Sequence, residues 1–156
     1  MTSRVKVTVK DNGFNRAKAL LRKPRKVLSL GVHPAEAAQV YPDKPGVTVG
    51  MVATVHEYGI NVPVRSWLFG WLYEEADTIT RQLAADTMRV LFGKPPESEG
   101  AALAKRGTVY RRQIIDRIHY ANVFASNAPS TIKKKGFDLP LIDSELFIES
   151  IRWEVK

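Results

Sequence analysis

The stretch TVGMVATVHEYGINVPVRSWLFGWL, residues 48–72, predicts a helix, the end of that helix, a stiff connector and the start of a second helix. Thr48 is a typical N-cap residue, and Gly59 supplies the left-handed conformation with which many helices end. Pro63 disfavours helical backbone in the connector. Ser66 then offers a second N-cap ahead of the next apolar residues. The stretch therefore predicts a packing corner between two helices.

Length and composition limit the class of protein. A chain of 156 residues is long enough to bury a hydrophobic core within a single domain. It contains no cysteine, which excludes disulfides and thiolate metal sites and favours synthesis in a cytosol. The first ten residues lack the apolar segment of a signal peptide, and no run of about eighteen apolar residues occurs. We therefore expect a soluble, single-domain protein that is not exported and does not bind membranes.

The chain is strongly basic, with 24 Lys and Arg residues against 16 Asp and Glu and a net charge of +8. This charge raises encounter rates with any polyanion, including nucleic acid. The basic groups are Arg22, Lys23, Arg25 and Lys26; Lys105, Arg106, Arg111 and Arg112; and Lys133, Lys134 and Lys135. None of these groups has the spacing of a known base-recognition motif, and no aromatic residues are interleaved with them on which bases could stack. Solvated or subunit-facing charge is the favoured interpretation, and non-specific contact with DNA stays open.

The N-terminal part of the chain predicts strands and one short helix. Alternating apolar residues predict a strand over residues 4–10 and another over 26–33, with a short helix over 14–21 between them. In residues 34–47, AEAAQVY fits either one helical turn or a strand and PDKPG is rich in turn formers, and we expect a mobile loop there that a partner orders.

Helical spacing of apolar residues predicts two long helices, over residues 66–92 and 98–123, that form an antiparallel hairpin. Gly93 and the prolines after it separate the two helices. Gly107, inside the second helix, costs about 1 kcal/mol relative to alanine. Its presence predicts either a close contact or a break at that position.

The C-terminal part predicts a loop, one helical turn and a final strand. Residues 125–140 show no period and predict a mobile basic loop. Asp143 suits the cap of a short turn through Phe147, and apolar residues alternate over Ile151–Val155. We expect an α+β fold, in which a small antiparallel sheet includes the N- and C-terminal strands and packs against the long helical hairpin and a short helix.

The sequence contains no recognisable catalytic or metal-binding constellation. His56 and Glu57 match the start of the zinc-protease helix motif, but Ile60 occupies the place of its second histidine. No nucleophile elbow, P-loop or dinucleotide-binding glycine motif occurs. Other titratable residues fit structural or solvated roles better than acid-base catalysis. They are Glu74 and Glu75, Glu97 and Glu99, His33, and His119. We expect no catalysis, no cofactor and no bound metal.

Two separated stretches carry a resemblance to a known family. The run VATVHEYGINVPVRSWLFGWL, residues 52–72, resembles a pattern of minor tail and neck or tail-completion proteins of tailed bacteriophages, in which a helix is followed by E-[F/Y]-G and P-[A/V]-R-P-F-[L/F]. The run FASNAPSTIKKKGFDLPLIDSELFIESIRWEV, residues 124–155, is similar to the family's C-terminal pattern, N-A-P-S-T-I-x-x-K-G followed by P-L-I-D-T-G-x-L and S-I. Arg117 and Ile118 fall where these proteins often have R-I. The resemblance covers residues 46–156.

The chain departs from the family pattern at two places. Ser66 and Trp67 follow Arg65 where the family has Pro-Phe, which replaces a proline start by a capping serine and keeps an aromatic anchor. Ser144 and Glu145 replace Thr-Gly, which removes a glycine from the C-terminal motif.

The resemblance implies a non-catalytic structural role in the virion, as a subunit of an oligomeric ring at the head–tail junction or tail end. Its implied partners are other copies of itself and neighbouring neck, connector or tail-tube proteins. Synthesis would take place in the cytoplasm of the bacterial host. The residues implied for a structural corner or subunit interface are Glu57, Tyr58, Gly59, Pro63, Arg65, Trp67, Leu68 and Phe69. The C-terminal motif contributes Pro140, Leu141, Ile142, Asp143, Leu146, Ser150 and Ile151, and the basic loop contributes Lys133, Lys134 and Lys135.

Several roles stay open at this point. Trp67 and Leu68 are expected in the core before an interface, because buried aromatic residues dominate the energetics of small domains. Arg65 has two candidate roles, an ion pair with Glu57 and a contact between subunits. A basic nucleic-acid-binding protein is the alternative function, and no residue favours a third class, a small enzyme or toxin.

Overall fold

The computed structural model describes residues 13–95, 97–120, 122–142 and 145–156. In chain order, the elements are α1 (Phe14–Leu21), β1 (Leu28–Val32), α2 (Pro34–Ala37), α3 (Val49–Tyr58), α4 (Phe69–Phe92), α5 (Glu99–Tyr120), α6 (Pro129–Lys135), α7 (Leu146–Ser150) and β2 (Ile151–Val155). The fold is α+β, as the sequence predicts, with the long helices packed against an antiparallel sheet. The strand predicted over residues 4–10 and the cap predicted at Asp143 lie outside the described residues.

The sheet in the described part of the chain pairs β1 with β2. The strands are antiparallel, with Leu28 opposite Val155 and Val32 opposite Ile151. Backbone hydrogen bonds of 2.9 and 3.0 Å between Val27 and Lys156 continue the pairing by one residue. The two predicted strands are therefore confirmed, and they are neighbours in space although about 120 residues of chain separate them.

The helical hairpin covers the sheet. The helix α5 packs against both strands and against α4. It runs without a break through Gly107, which lies directly against the ring of Trp153. The glycine therefore marks a close contact, the first of the two predicted outcomes. No helix within the described ranges is long and apolar enough to cross a membrane.

The hydrophobic core lies where α3, α5, α7 and the sheet meet. Its buried residues include Val49, Tyr110, Ile114, Ile118, Phe147, Ile148 and Ile151. Trp67 joins this core. The centroid of its ring lies 5.2 Å from the centroid of the Phe147 ring, in an edge-to-face contact. Its Nε1–H donates to the carbonyl of Ala53 at 3.2 Å, so the polar end of the indole is satisfied. The core position expected for Trp67 is confirmed, and Leu68 packs against the core while half-buried.

Two segments that we expected as loops contain regular structure, and in the first of them a helical turn was one of the alternatives left open. Within residues 34–47, Pro34–Ala37 forms a helical turn, and the side chain of Tyr41 is buried. Within residues 125–140, where we expected an irregular loop, Pro129–Lys135 forms a helix that ends at a left-handed Gly136. The expectation of an irregular loop is wrong there, because seven helical residues are too few to show a periodic signal. The mobility of both segments stays a prediction.

We expect Gly107→Ala to lower the free energy of unfolding by about 1–3 kcal/mol. A Cβ atom there would lie 2.5 Å from Cδ2 of Trp153, and the resulting displacement outweighs the gain in helix propensity, about 1 kcal/mol. Gly100→Ala in the same helix is the matched control, because nothing lies within 4 Å of its added methyl group. Urea denaturation compares the two variants. Equal stabilisation by both would contradict the close contact.

Candidate functional site

The corner predicted from the sequence forms as a helix, a reversing connector and a second helix. Thr48 Oγ1 accepts a hydrogen bond from the N–H of Met51 at 3.2 Å and caps α3. Gly59 ends α3 in the left-handed conformation, with φ 68° and ψ 38°. A Cβ atom at Gly59 would lie 2.5 Å from Cγ2 of Val64, so the turn has no room for a side chain. The N–H of Arg65 then donates to the carbonyl of His56 at 2.8 Å, which returns the connector to α3.

Glu57 holds the start of α4. Its side chain is buried, with 8% of its surface exposed. The carboxylate accepts hydrogen bonds from the N–H of Leu68 at 3.0 Å and from the N–H of Phe69 at 3.1 Å. The hydroxyl of Ser66 donates to the same carboxylate and accepts from the N–H of Gly70 at 2.8 Å. Because the first N–H groups of a helix have no intrahelical acceptor and carry partial positive charge, a carboxylate is a favourable partner for them.

The cap of α4 therefore differs from the prediction. We expected Ser66 to cap a helix that began directly after it. In the structure α4 begins at Phe69, and the capping role is shared between Ser66 and Glu57, a residue of the preceding helix.

Arg65 joins the two stretches that carry the family resemblance. The residue is buried, with 4% of its surface exposed. Nε donates to the carbonyl of Ala125 at 2.9 Å, and Nη2 donates to the carbonyl of Ser126 at 3.0 Å and to Oδ1 of Asn127 at 3.3 Å. No carboxylate of the described residues forms an ion pair with it. Of the two roles left open for Arg65, the ion pair with Glu57 does not form, because the carboxylate of Glu57 is occupied by Ser66 and by the first N–H groups of α4.

His56 is a neutral partner of Arg65. Burial, followed by the nearby charges of Arg65 and Lys135, lowers the pKa of His56 to about 4. Nη1 of Arg65 lies 3.2 Å from Nδ1 of His56. Because a guanidinium can only donate, Nδ1 is the acceptor and the imidazole proton lies on Nε2.

A cleft of about 910 Å³ opens beside Arg65, between α3, the connector and α6. Its apolar lining comes from Tyr41, Val47, Val52, Val62, Phe137 and Leu141. Its charged lining residues are Asp43, Lys44, Arg65, Lys134 and Lys135. The cleft therefore combines apolar walls with an excess of positive charge. We name it the basic cleft.

The other side of the corner exposes apolar side chains. Tyr58 is 62% exposed, and the centroid of its ring lies 6.3 Å from the ring centroid of Phe69, which is also exposed. Leu72 and Tyr73, in the next turn of α4, are exposed as well. Trp71 of the same helix is buried against Tyr110, so aromatic residues occupy both the inside and the outside of this helix start.

The C-terminal motif is divided between the core and its boundary. Leu141, Ser150 and Ile151 are buried, and Ser150 Oγ–H donates to the carbonyl of Leu146 at 2.6 Å. Pro140, Ile142 and Leu146 are half-buried, and Asp143 lies outside the described residues. Of the other predicted residues, Pro63, Lys133 and Lys134 are exposed and Lys135 is half-buried.

The carboxylates that we considered as acid-base candidates are mostly engaged in ion pairs. Glu97 pairs with Lys105 at 2.6 Å, Glu99 pairs with Arg25 at 2.9 Å, and Glu74 pairs with Arg117. Arg106 similarly binds Asp86 at 2.5 Å and, through this hydrogen bond, lowers the pKa of that carboxyl. Within the described residues, no group of three or more His, Asp or Glu side chains converges on a metal site.

Comparison with known proteins finds no matching family model, no matching curated protein and no matching solved structure. The function must therefore be argued from the residues and their geometry.

Sequence reasoning missed His56 and Asn127 as hydrogen-bond partners of Arg65. His56 lies nine residues before Arg65 and Asn127 lies 62 residues after it, and no local pattern connects the three. Pro129, which occupies the first turn of α6, was the one available signal for the helix that forms part of the cleft wall.

We expect Glu57→Gln to lower the free energy of unfolding by about 1–3 kcal/mol. The amide removes the charge at the start of α4 and turns an NH₂ group towards donors that need an acceptor. Glu75→Gln is the matched control, because Glu75 forms no ion pair among the described residues and should change stability by less than about 0.5 kcal/mol. Thermal or urea denaturation measures both variants. A Glu57→Gln protein as stable as the control would contradict the capping role.

We expect His56 to make the fold less stable in acid. Its pKa is about 4 in the folded state and about 6.5 in an unfolded chain, so only the unfolded chain gains a proton between these values. The stability that neutral His56 provides is complete above about pH 6.5 and is lost as the pH falls towards 4; by pH 5 the loss is about 2 kcal/mol. His56→Asn keeps an acceptor for Arg65 and cannot titrate. Urea denaturation at pH 7.5 and pH 5 should show about 2 kcal/mol less pH dependence in this variant. An unchanged dependence would contradict the assignment.

Proposed function

We propose that the protein is a structural component of a tailed-bacteriophage virion, made in the host cytoplasm and assembled as a subunit of an oligomeric ring. The ring would lie at the neck or tail end, in a connector, tail-completion or tail-terminator position. The protein would act by contacting copies of itself and neighbouring neck, connector or tail-tube proteins, without catalysis.

The observation that carries this proposal is the contact of Arg65 with residues 125–127. The two stretches that resemble the phage family lie about 60 residues apart, yet Arg65 of the first is buried on backbone carbonyls of the second. Each stretch thereby gains a structural role, in agreement with a family whose motifs are not catalytic. If each of the two resemblances were a coincidence, there would be no reason to expect the two stretches to contact each other in the fold.

The exposed apolar side chains at the corner support an assembly role. Tyr58, Phe69, Leu72 and Tyr73 lie on neighbouring turns, and Tyr73 is 87% exposed. Aromatic side chains are enriched at protein–protein interfaces, and grouped exposure of this kind is unusual for a surface that faces only water. The aromatic residues of the corner therefore divide into a group that builds the domain and a group available for a neighbour.

The distribution of basic residues gives less support to the nucleic-acid alternative. Lys105 and Arg106 form ion pairs with Glu97 and Asp86, and Nε of Arg111 donates to the carbonyl of Ile151 at 2.5 Å. Much of the second basic group therefore has partners inside the protein and is not free to contact phosphates.

A nonsense mutation in this gene of the phage that carries it tests the proposal. Electron microscopy of the lysate should show separate filled heads and tails, or tails of uncontrolled length, because the joining or terminating ring is missing. A plasmid that supplies the wild-type protein should restore complete particles. Normal infectious particles from the mutant would contradict the proposal and make DNA binding the leading function.

A further inference from the structure

The basic cleft carries more positive than negative charge among the described residues. Arg65 is buried, and the acceptors of its hydrogen bonds are two backbone carbonyls, an amide oxygen and a neutral imidazole. These groups satisfy its donors without cancelling its charge. The cleft also contains Lys134 and Lys135. The carboxylate of Asp43 lies in its lining and that of Asp138 acts on Arg65 from nearby, so the positive charges still outnumber the negative ones. An anionic group would therefore be favoured inside it.

The pKa of Lys135 agrees with this crowding of positive charge. Burial and the nearby charges of Lys44 and Arg65 lower it below its ordinary value. Asp138, held by hydrogen bonds from Asn127, offsets this effect only in part.

The walls of the basic cleft indicate what kind of anion fits. Apolar side chains, including Val52, Phe137 and Leu141, form much of its lining. A nucleic-acid backbone would bring phosphates but would leave these apolar walls uncovered. A protein surface that carries a carboxylate beside aromatic side chains matches both the charge and the walls.

This chain itself carries such a surface at the start of α4. Phe69, Tyr73 and Asp77 are spaced four residues apart, so they lie on one face of the helix, and all three are exposed. Residues 69–80 contain three carboxylates and no Lys or Arg, and two of these carboxylates, Glu75 and Asp77, form no ion pair among the described residues. We name Phe69, Tyr73 and Asp77 the acidic stripe.

The other unpaired carboxylates fit less well. Glu145 and Glu149 are exposed on or beside α7 and form no ion pair among the described residues. However, α7 itself exposes no large apolar side chain, since Phe147 and Ile148 are buried and Leu146 is half-buried. The acidic stripe is therefore the better match for the basic cleft.

The basic cleft and the acidic stripe face different directions. His56 of α3 lines the cleft, whereas Tyr58 of α3 contacts Phe69 of the stripe. A separation of two residues along an α-helix rotates the side chain by about 200° around the helix axis. In a symmetric dimer, the cleft of each copy would bind the stripe of the other, which requires both surfaces on the same side of the subunit. Because they face different directions, the contact instead repeats head to tail from copy to copy. A head-to-tail contact of this kind forms a closed ring when the rotation between neighbouring copies allows it.

We propose that the basic cleft of one copy binds the acidic stripe of a second copy, head to tail. This contact specifies the subunit interface of the ring and, for its biological setting, rests on the proposed virion function. The carboxylate of Asp77 would lie near Lys134 and Lys135, and the rings of Phe69 and Tyr73 would cover the apolar walls.

Disulfide trapping tests the contact directly, because the chain has no cysteine of its own. The variants Asp77→Cys and Lys134→Cys are each prepared in the full chain, mixed in equal amounts and oxidised. Both positions are exposed, so neither change disturbs the core. The two changes remove one ion pair of the proposed contact and keep the rings of Phe69 and Tyr73 and the apolar walls of the cleft, which bury most of its surface. The disulfide-linked dimers differ in mass and are counted by mass spectrometry. The mixed dimer should exceed either homodimer by about tenfold, because the interface raises the effective concentration of the two thiols.

Lys133→Cys in place of Lys134→Cys is the matched control. Lys133 is exposed in the same lysine triplet but does not line the basic cleft. The mixed dimer formed with this variant should fall to the twofold excess of random pairing. A protein that carries both Asp77→Cys and Lys134→Cys should form linked species larger than a dimer.

Random pairing in all mixtures would overturn the proposal, and so would a preference of Asp77→Cys for itself. Protection of the cysteine at position 134 from alkylation by a short DNA duplex, without mixed dimers, would assign the cleft to nucleic acid instead. If trapping fails while the nonsense mutant still lacks complete particles, the virion function stands and only this interface is wrong. If trapping succeeds while the mutant makes normal particles, the virion function is wrong and the head-to-tail contact stands.

Discussion

The structure depends on one buried carboxylate, that of Glu57, which lies at the end of one helix and binds the first N–H groups of the next. The hydrogen bonds to Leu68 and Phe69 fix where α4 starts and the direction in which it leaves the corner. Because α4 is 24 residues long, the direction of its first turn determines where the rest of the helix lies. Because the carboxylate is withdrawn from water, removing its partners would leave an unpaired buried charge, so the corner has one low-energy arrangement.

The position of Glu57 also determines where Arg65 goes. Glu57 and Ser66 bind each other, which leaves Arg65 to point away from them and towards the chain at residues 125–127. The corner thus separates a negative group that organises α4 from a positive group that faces the basic cleft. The exposed rings of Tyr58 and Phe69 lie on the side of Glu57 and α4, and His56 and Arg65 lie on the side of the cleft. The same few residues therefore build the fold and give it two unlike surfaces, one with exposed aromatic rings and one with a basic cleft.

Local signals in the sequence were sufficient for most of the fold. The end of α3 at Gly59, the short helix α1, both described strands and the helical hairpin each follow from residues that are close along the chain. The start of α4 was placed three residues too early, because a serine N-cap is a local signal and the competing carboxylate of Glu57 is not. The helix α6 was missed because it is short and rich in lysine. The site was harder to predict than the fold. Arg65 was recognised as important, but its partners lie about 60 residues away, and no property of a single sequence indicates which distant carbonyls a guanidinium will bind.

Amide hydrogen exchange at Leu68 and Phe69, followed by NMR, tests the central role of Glu57 most directly. If Glu57 is the constraint on which the corner depends, these two amides are released only when the whole domain unfolds. Their opening free energies should then agree within about 1 kcal/mol with that of the Ile114 amide, whose residue is fully buried in α5. Exchange at Leu68 and Phe69 as fast as in the exposed connector, while Ile114 stays protected, would show that the corner opens on its own and would contradict the account.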